Sequence, residues 1–281
     1  MTNTSNSKFE RKDDGTIHLT ISITQPEIKK TTDEIITTYV SNAEITGFRK
    51  GKAPRHIVEP TINKAKIKEE VLRKLLPNAY VKAVEEHKIK PIMNPKIHVD
   101  TLPDDKDWNI IAITCEMPEV KLGKYKDAIK KVTAKSKIIL PGKEEKKQEV
   151  SLDEIVKELL GASTVSVPAI MIEQEVDRLL AQTLDEIKRL GLTLDQYLAS
   201  TQKKPEELRN EYAVKAEGDI KLEFVLQKIA EEEKITIEDK ELKEAIQKAK
   251  DPIEMENLQK NSYMLASILR QQKTLDFLKN L

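Results

Sequence analysis

Gly47-Phe48-Arg49-Lys50-Gly51-Lys52-Ala53-Pro54 is the stretch on which the reading of this chain turns. It gathers an aromatic and three cations around two glycines, closes with a proline and runs into Arg55. Glycines let the backbone take positive φ and turn sharply. Pro54 stops a helix or central strand from running through. Side chains on such a tip point outward, which leaves Phe48 without a core of its own to enter. An exposed Phe beside Arg49, Lys50, Lys52 and Arg55 has the makeup of a docking loop, an apolar anchor in a cationic ring. A solvated basic turn is the plainer alternative.

Gly51-Lys52 also invites comparison with a phosphate-cradling loop. That motif needs four residues between its glycines and a Ser or Thr after the lysine. Here three residues intervene and Ala53 follows, so no hydroxyl is available for magnesium. Nucleotide binding at this loop is excluded.

Composition bounds what surrounds the loop. A chain of 281 residues suggests two domains, taking roughly 100–200 residues for each. Lys plus Arg equal Asp plus Glu, 48 against 48, so no global field draws the chain to RNA or membrane. Any nucleic-acid affinity must then be local. Charged residues make up 34% and aromatics 4%, a balance that favours thin, helix-rich, solvated architecture. Cys115 is the only cysteine, which rules out an intrachain disulfide and fits a reducing, cytoplasmic setting. The first residues lack the apolar segment of a secretory signal, and Ile110–Ile113 is far too short an apolar run to span a bilayer.

Periodicity orders the rest. Residues 9–24 read as a strand region, Ile17, Leu19, Ile21 and Ile23 alternating with polar residues and Gly15 turning the chain beforehand. Thr24 and Glu27 form a capping-box pattern, with Pro26 in the first turn of a helix over about 25–43. That helix stripes Ile28, Ile35, Ile36, Tyr39 and Val40 on one face and delivers the chain into the loop. A short helix over 55–59 follows. A longer one over about 61–87 buries Val71, Leu72, Leu75, Leu76, Tyr80, Val81 and Val84, kinked or divided at Pro77. Strands are expected over 96–101, with Ile97 and Val99 inward, and over 108–117. Together these predict an α+β domain over 1–122.

Residues 123–150 are the least patterned and read as a linker, with a charge run at 143–147. The remainder, 151–281, reads as helix. Ser151 with Glu154, Thr193 with Gln196 and Thr236 with Asp239 offer starts; Pro168, Pro205 and Pro252 fit first turns; Gly161 and Gly191 offer stops.

The loop's eight residues, placed after a strand and a first amphipathic helix, resemble the ribosome-binding signature of the trigger factor family. The fragment Val167-Pro168-Ala169 leading into Glu173–Asp177 resembles the entry into that family's C-terminal domain. The resemblance implies an α+β ribosome-binding domain followed by an elongated all-α chaperone domain. It implies that Phe48, Arg49 and Lys50 make the principal contacts with the large ribosomal subunit near the exit tunnel, while Gly47, Gly51, Lys52 and Pro54 shape the loop. Partners would be the ribosome and nascent or unfolded polypeptides, without nucleotide or membrane; a weak homodimer is also compatible. Members of the family usually insert an FKBP-type prolyl isomerase domain, which would need at least about 50 residues. The segment 123–150 is too short for it, so a shortened member without that domain is expected.

No catalytic residue emerges. His18, His56, His87 and His98 show no pair at metal-ligand spacing, and Cys115 has no second cysteine to bind zinc with. Ser151, Ser163 and Ser166 lack a nucleophile elbow. No cofactor or metal is expected. Met171, Leu192, Met255 and Met264 could contact clients, with ordinary helix packing as the alternative for each. An RNA-binding or ribosome-assembly factor using the same loop is the second reading, and a prolyl isomerase of another type the third.

Overall fold

The computed structural model describes residues 7–136, 151–249 and 251–281. The chain divides into two units. The first comprises the described residues up to Met117 with Pro168–Ile170, and the second comprises Pro118–Val167 and Met171–Leu281.

The first unit opens with a hairpin, β1 (Ser7–Arg11) and β2 (Thr16–Ile23). Gly15 takes φ +87° in its turn, and the Asp14 carboxylate accepts from the Thr16 N–H at 2.9 Å. Helix α1 (Gln25–Asn42) follows. Glu27 reaches back to accept from the Thr24 N–H at 3.2 Å, which meets one donor left open at the helix start. After the loop come α2 (Arg55–Val58), a 3-10 turn at Glu59–Thr61, and α3 (Lys64–Glu86). Then come β3 (Lys96–His98) and β4 (Trp108–Cys115).

The four strands form an antiparallel sheet in the order β1-β2-β4-β3. Side chains alternate across a strand, so Ile17, Leu19, Ile21 and Ile23 of β2 share one buried face with Trp108, Ile110 and Ala112 of β4. Ile28, Ile35 and Ile36 of α1 and Ile67, Val71 and Ala83 of α3 close the core over that face.

Some expectations shift here. Helix α3 runs through Pro77 undivided. A proline forgoes one hydrogen bond to the carbonyl four residues back, but Leu72, Leu75 and Leu76 before it and Tyr80 and Val84 after it pack on the same core. Val81 is exposed rather than buried. Strand β3, at the sheet's edge, stops at His98; Ile97 is exposed rather than inward, while Val99 packs against the core as expected.

In the second unit, β5 (Val120–Lys121) pairs with β6 (Thr164–Val165), a short ladder in otherwise helical surroundings. Between them lie α4 (Tyr125–Ser136) and α5 (Leu152–Ala162). Residues 125–136 of the expected linker are therefore helix. Ile129 on α4 is fully buried beside Leu122, Ile155, Leu159, Val225, Ile229 and Leu278. The charge run at 143–147 lies outside the described residues.

Helices α6 (Ala169–Arg189), α7 (Leu194–Thr201) and α8 (Pro205–Glu232) follow. Thr193 and Gln196 cap α7 reciprocally, at 2.9 and 3.3 Å. Gly161 lies inside α5 rather than ending it. Helix α9 (Asp239–Gln247) is capped from Glu238 rather than Thr236. The C-terminal helical segment is two helices, α10 (Pro252–Lys260) and α11 (Ser262–Lys279). Among the described residues no helix is long and apolar enough to cross a membrane.

Candidate functional site: the Gly47–Pro54 loop

Helix α1 ends because residues 43–46 leave helical geometry, Ala43 lying extended at ψ 137°. The chain then folds back on itself. The Gly51 N–H donates to the Ala43 carbonyl at 2.9 Å, closing the base of the loop. Two tighter turns lie within it, Phe48 N–H to Ile45 carbonyl at 3.0 Å and Lys52 N–H to Arg49 carbonyl at 2.9 Å.

Both glycines take φ values disfavoured for other residues, +90° at Gly47 and +70° at Gly51. They differ in what surrounds them. Gly47 stands in open space, whereas a β-carbon on Gly51 would collide with the Ser41 carbonyl. Ala53, 4% exposed, pins the exit of the loop to the protein, and Pro54 caps α2. The glycines and Pro54 thus shape the loop, and the structure adds Ala53 as a buried anchor that the sequence reading passed over.

The tip faces outward. Phe48 is 42% exposed, and Arg49, Lys50 and Lys52 are exposed beside it. Lys50 pairs with Glu44 at 2.9 Å, both side chains well solvated. Arg49 and Lys52 have no ion-pair partner among the described residues. Arg55 departs from the ring that the sequence suggested. Its Nη2 donates to Asp33 at 2.7 Å and its Nε to Glu59 at 3.0 Å. These acceptors, Asp33 foremost, raise its already high pKa.

Outside the loop, Ser7, Glu86 and His87 come together in a way that superficially suggests a nucleophile. The Ser7 hydroxyl gives its proton to Glu86 at 2.7 Å, and His87 Nε2 lies 2.9 Å away. A nucleophilic serine must instead give that proton to the imidazole. The cluster ties β1 to the end of α3, with Phe9 stacked on His87 at 5.5 Å. Cys115 is fully buried against Met93, and burial pushes its thiol pKa up to about 11. Among the described residues no group of three or more His, Cys, Asp or Glu is placed to hold a metal ion.

The second unit leaves large apolar side chains in water. Leu190 and Leu192 flank the turn between α6 and α7, and Ile253, Tyr263 and Met264 lie on α10 and α11, with Tyr263 90% exposed. Ile253 and Tyr263 were not singled out from sequence, since a helical stripe does not say which face lacks a neighbour. Met171 packs against the Val167, Ile220 and Phe224 cluster, so the ordinary packing alternative holds there.

Fold and loop together define a protein with an α+β platform that presents an aromatic, cationic tip, joined to a helical unit with exposed apolar side chains. The model for the bacterial trigger factor protein matches residues 5–159, and that for the trigger factor C-terminus matches residues 130–280. The chain belongs to the bacterial trigger factor family. Because the two matches overlap, no stretch between them is left for an inserted domain.

The trigger factor of Streptococcus gordonii is 38% identical over 119 residues, 42% of this chain and 28% of that protein. That of Streptococcus pneumoniae is 37% identical over the same length and shares. The chain thus spans little more than a quarter of the curated relatives it matches. The fold is similar to that of a solved structure described as "Promiscuous Substrate Recognition in Folding and Assembly Activities of the Trigger Factor Chaperone". The TM-score is 0.64 at 14% identity, covering 98% of this chain and 99% of the other.

Proposed function

We propose that this chain is an ATP-independent chaperone of the cytoplasm that docks on the large ribosomal subunit near the nascent-chain exit and holds emerging polypeptides. Phe48 is the apolar anchor, Arg49 and Lys50 the principal charged contacts, and Lys52 supports them. Gly47, Gly51 and Pro54 set the loop's shape. The observation that carries the reading is Phe48 exposed on a tip whose base is closed by the Gly51–Ala43 hydrogen bond, in a chain of this family. An aromatic anchor ringed by cations suits a partner with phosphates beside apolar protein.

Docking raises the local concentration of the helical unit at the exit, so each client contact can stay weak and reversible. The exposed apolar side chains around the α6–α7 turn and on α10 and α11 are the client contacts in this reading. Methionine suits promiscuous packing. Weak binding needs no energy input for release, and the reading assigns no catalysis to the chain.

Ribosome co-sedimentation of the full chain, with and without Phe48→Ala, Arg49→Ala and Lys50→Ala combined, tests docking. Loss of binding is expected, and unchanged binding of the triple variant refutes it. Suppression of aggregation of a chemically unfolded client by the full chain tests holding; no protection at equimolar chain refutes that half.

A further inference from the structure

The cations around the loop differ in what they touch. Arg49 and Lys52 face solvent unpaired among the described residues, while Arg55, also at the surface, lays its guanidinium on two carboxylates. Asp33 belongs to α1 and Glu59 begins the 3-10 turn after α2. One side chain therefore ties together the helices on either side of the loop. A guanidinium suits this, since its planar fork offers donors in fixed directions. The Asp33 contact bridges residues 22 apart in sequence, and those residues bracket the whole loop.

We infer that Arg55 is a positioning residue for the loop rather than a contact to the ribosome. Held by Asp33 and Glu59, it is a strut that fixes α2 against α1 and so the direction in which Phe48 is offered. This rests on the docking reading above and deepens it by dividing the cations according to role.

The two roles differ in sign. Were Arg55 a contributor to the positive field, neutralising a neighbouring carboxylate would strengthen attraction to phosphate. Were it a strut, losing the Asp33 charge would weaken docking. The test uses the full chain and salt-washed bacterial ribosomes across a potassium chloride series, comparing wild type with Arg55→Ala, Asp33→Asn, their double variant and Phe48→Ala. Exposed ion pairs are individually modest, so Arg55→Ala and Asp33→Asn should each weaken binding about two- to fivefold. The double variant should be no weaker than Arg55→Ala, and the log–log salt slope should stay unchanged. Tighter binding by Asp33→Asn, or a slope shallower by about 0.7–0.9 in Arg55→Ala, makes Arg55 a phosphate contact and overturns the inference.

Amide exchange in the free protein tests the strut without the ribosome. The Gly51 and Lys52 amides, both hydrogen-bonded within the loop, should exchange about two- to fivefold faster in both single variants. Unchanged rates overturn the strut whatever the ribosome does. Accelerated exchange with Phe48→Ala sedimenting like wild type means the strut stands and the docking reading fails.

Discussion

The carbonyl oxygen of Ser41 occupies the space that a β-carbon on Gly51 would need. Position 51 is thus closed to other residues twice over, by contact and by its φ of +70°. Gly47 carries the φ restriction alone. Gly47→Ala should cost about 1–2 kcal/mol of local strain, and Gly51→Ala more than that, with rupture of the Gly51–Ala43 hydrogen bond. Urea midpoints of the two variants, with amide exchange at residue 51, check the order.

Phe48 separates stability from docking. At 42% exposure it adds little to the fold, so Phe48→Ala should change unfolding free energy by no more than about 0.5 kcal/mol. Ribosome affinity should fall by about 2 kcal/mol or more if Phe48 is the anchor, roughly 30-fold. Denaturation and co-sedimentation on one preparation measure both.

Glu44 pairs with Lys50, and under the proposed docking it would compete with the ribosome for that charge. The pair is solvated on both sides, hence weak and readily exchanged. Glu44→Gln should leave the melting temperature unchanged and tighten ribosome binding about twofold at low salt, the gain vanishing as salt screens it. Binding isotherms at two ionic strengths decide this.

Ile129 tests whether α4 belongs to the second unit's core. It is fully buried against Ile155 and Leu159. Ile129→Ala should destabilise that unit by about 2–5 kcal/mol, read as loss of helical signal at lower denaturant.

Glu233 gives the second unit an acid limit. It accepts from Lys126 at 2.6 Å and from the Tyr125 hydroxyl at 2.8 Å, and these contacts, Lys126 first, hold its pKa below the ordinary 4.5. The unfolded chain therefore takes up this proton first as pH falls. The stabilisation is complete above 4.5 and is lost as pH drops through the lower folded value. Glu233→Gln should flatten the decline of urea midpoint between about pH 6 and pH 3. An unchanged decline would remove Glu233 from the account.

Much of this was legible in sequence because local chemistry specified it. The alternation Ile17–Ile23 fixed which face of β2 is buried, and Thr193 with Gln196 and Asp251 before Pro252 marked real helix starts. The glycines of the loop announced its turns. What stayed hidden depends on distant partners or on turns without a signature. Lys88, Gln202 and Lys234 all take φ near +54° just past helix ends, where a glycine would have been read as a stop. Helix α4 was missed because its buried face, Tyr125, Ile129 and Val132, is sparse and followed by charge. Arg55 was grouped with the docking cations because sequence shows its charge but not its pairing with Asp33, 22 residues earlier on α1.

The pairing of β2 with β4 joins Thr16 to Cys115 and Ile23 to Trp108. The two middle strands of the sheet thus come from opposite ends of the first unit, with the docking loop between them in the chain. As the protein is itself synthesised, the loop leaves the ribosome well before the strand that completes the sheet. Closing so long a span is slow, since chain entropy is lost before any contact compensates. Under the proposed function, a newly made copy would need holding before it could hold others.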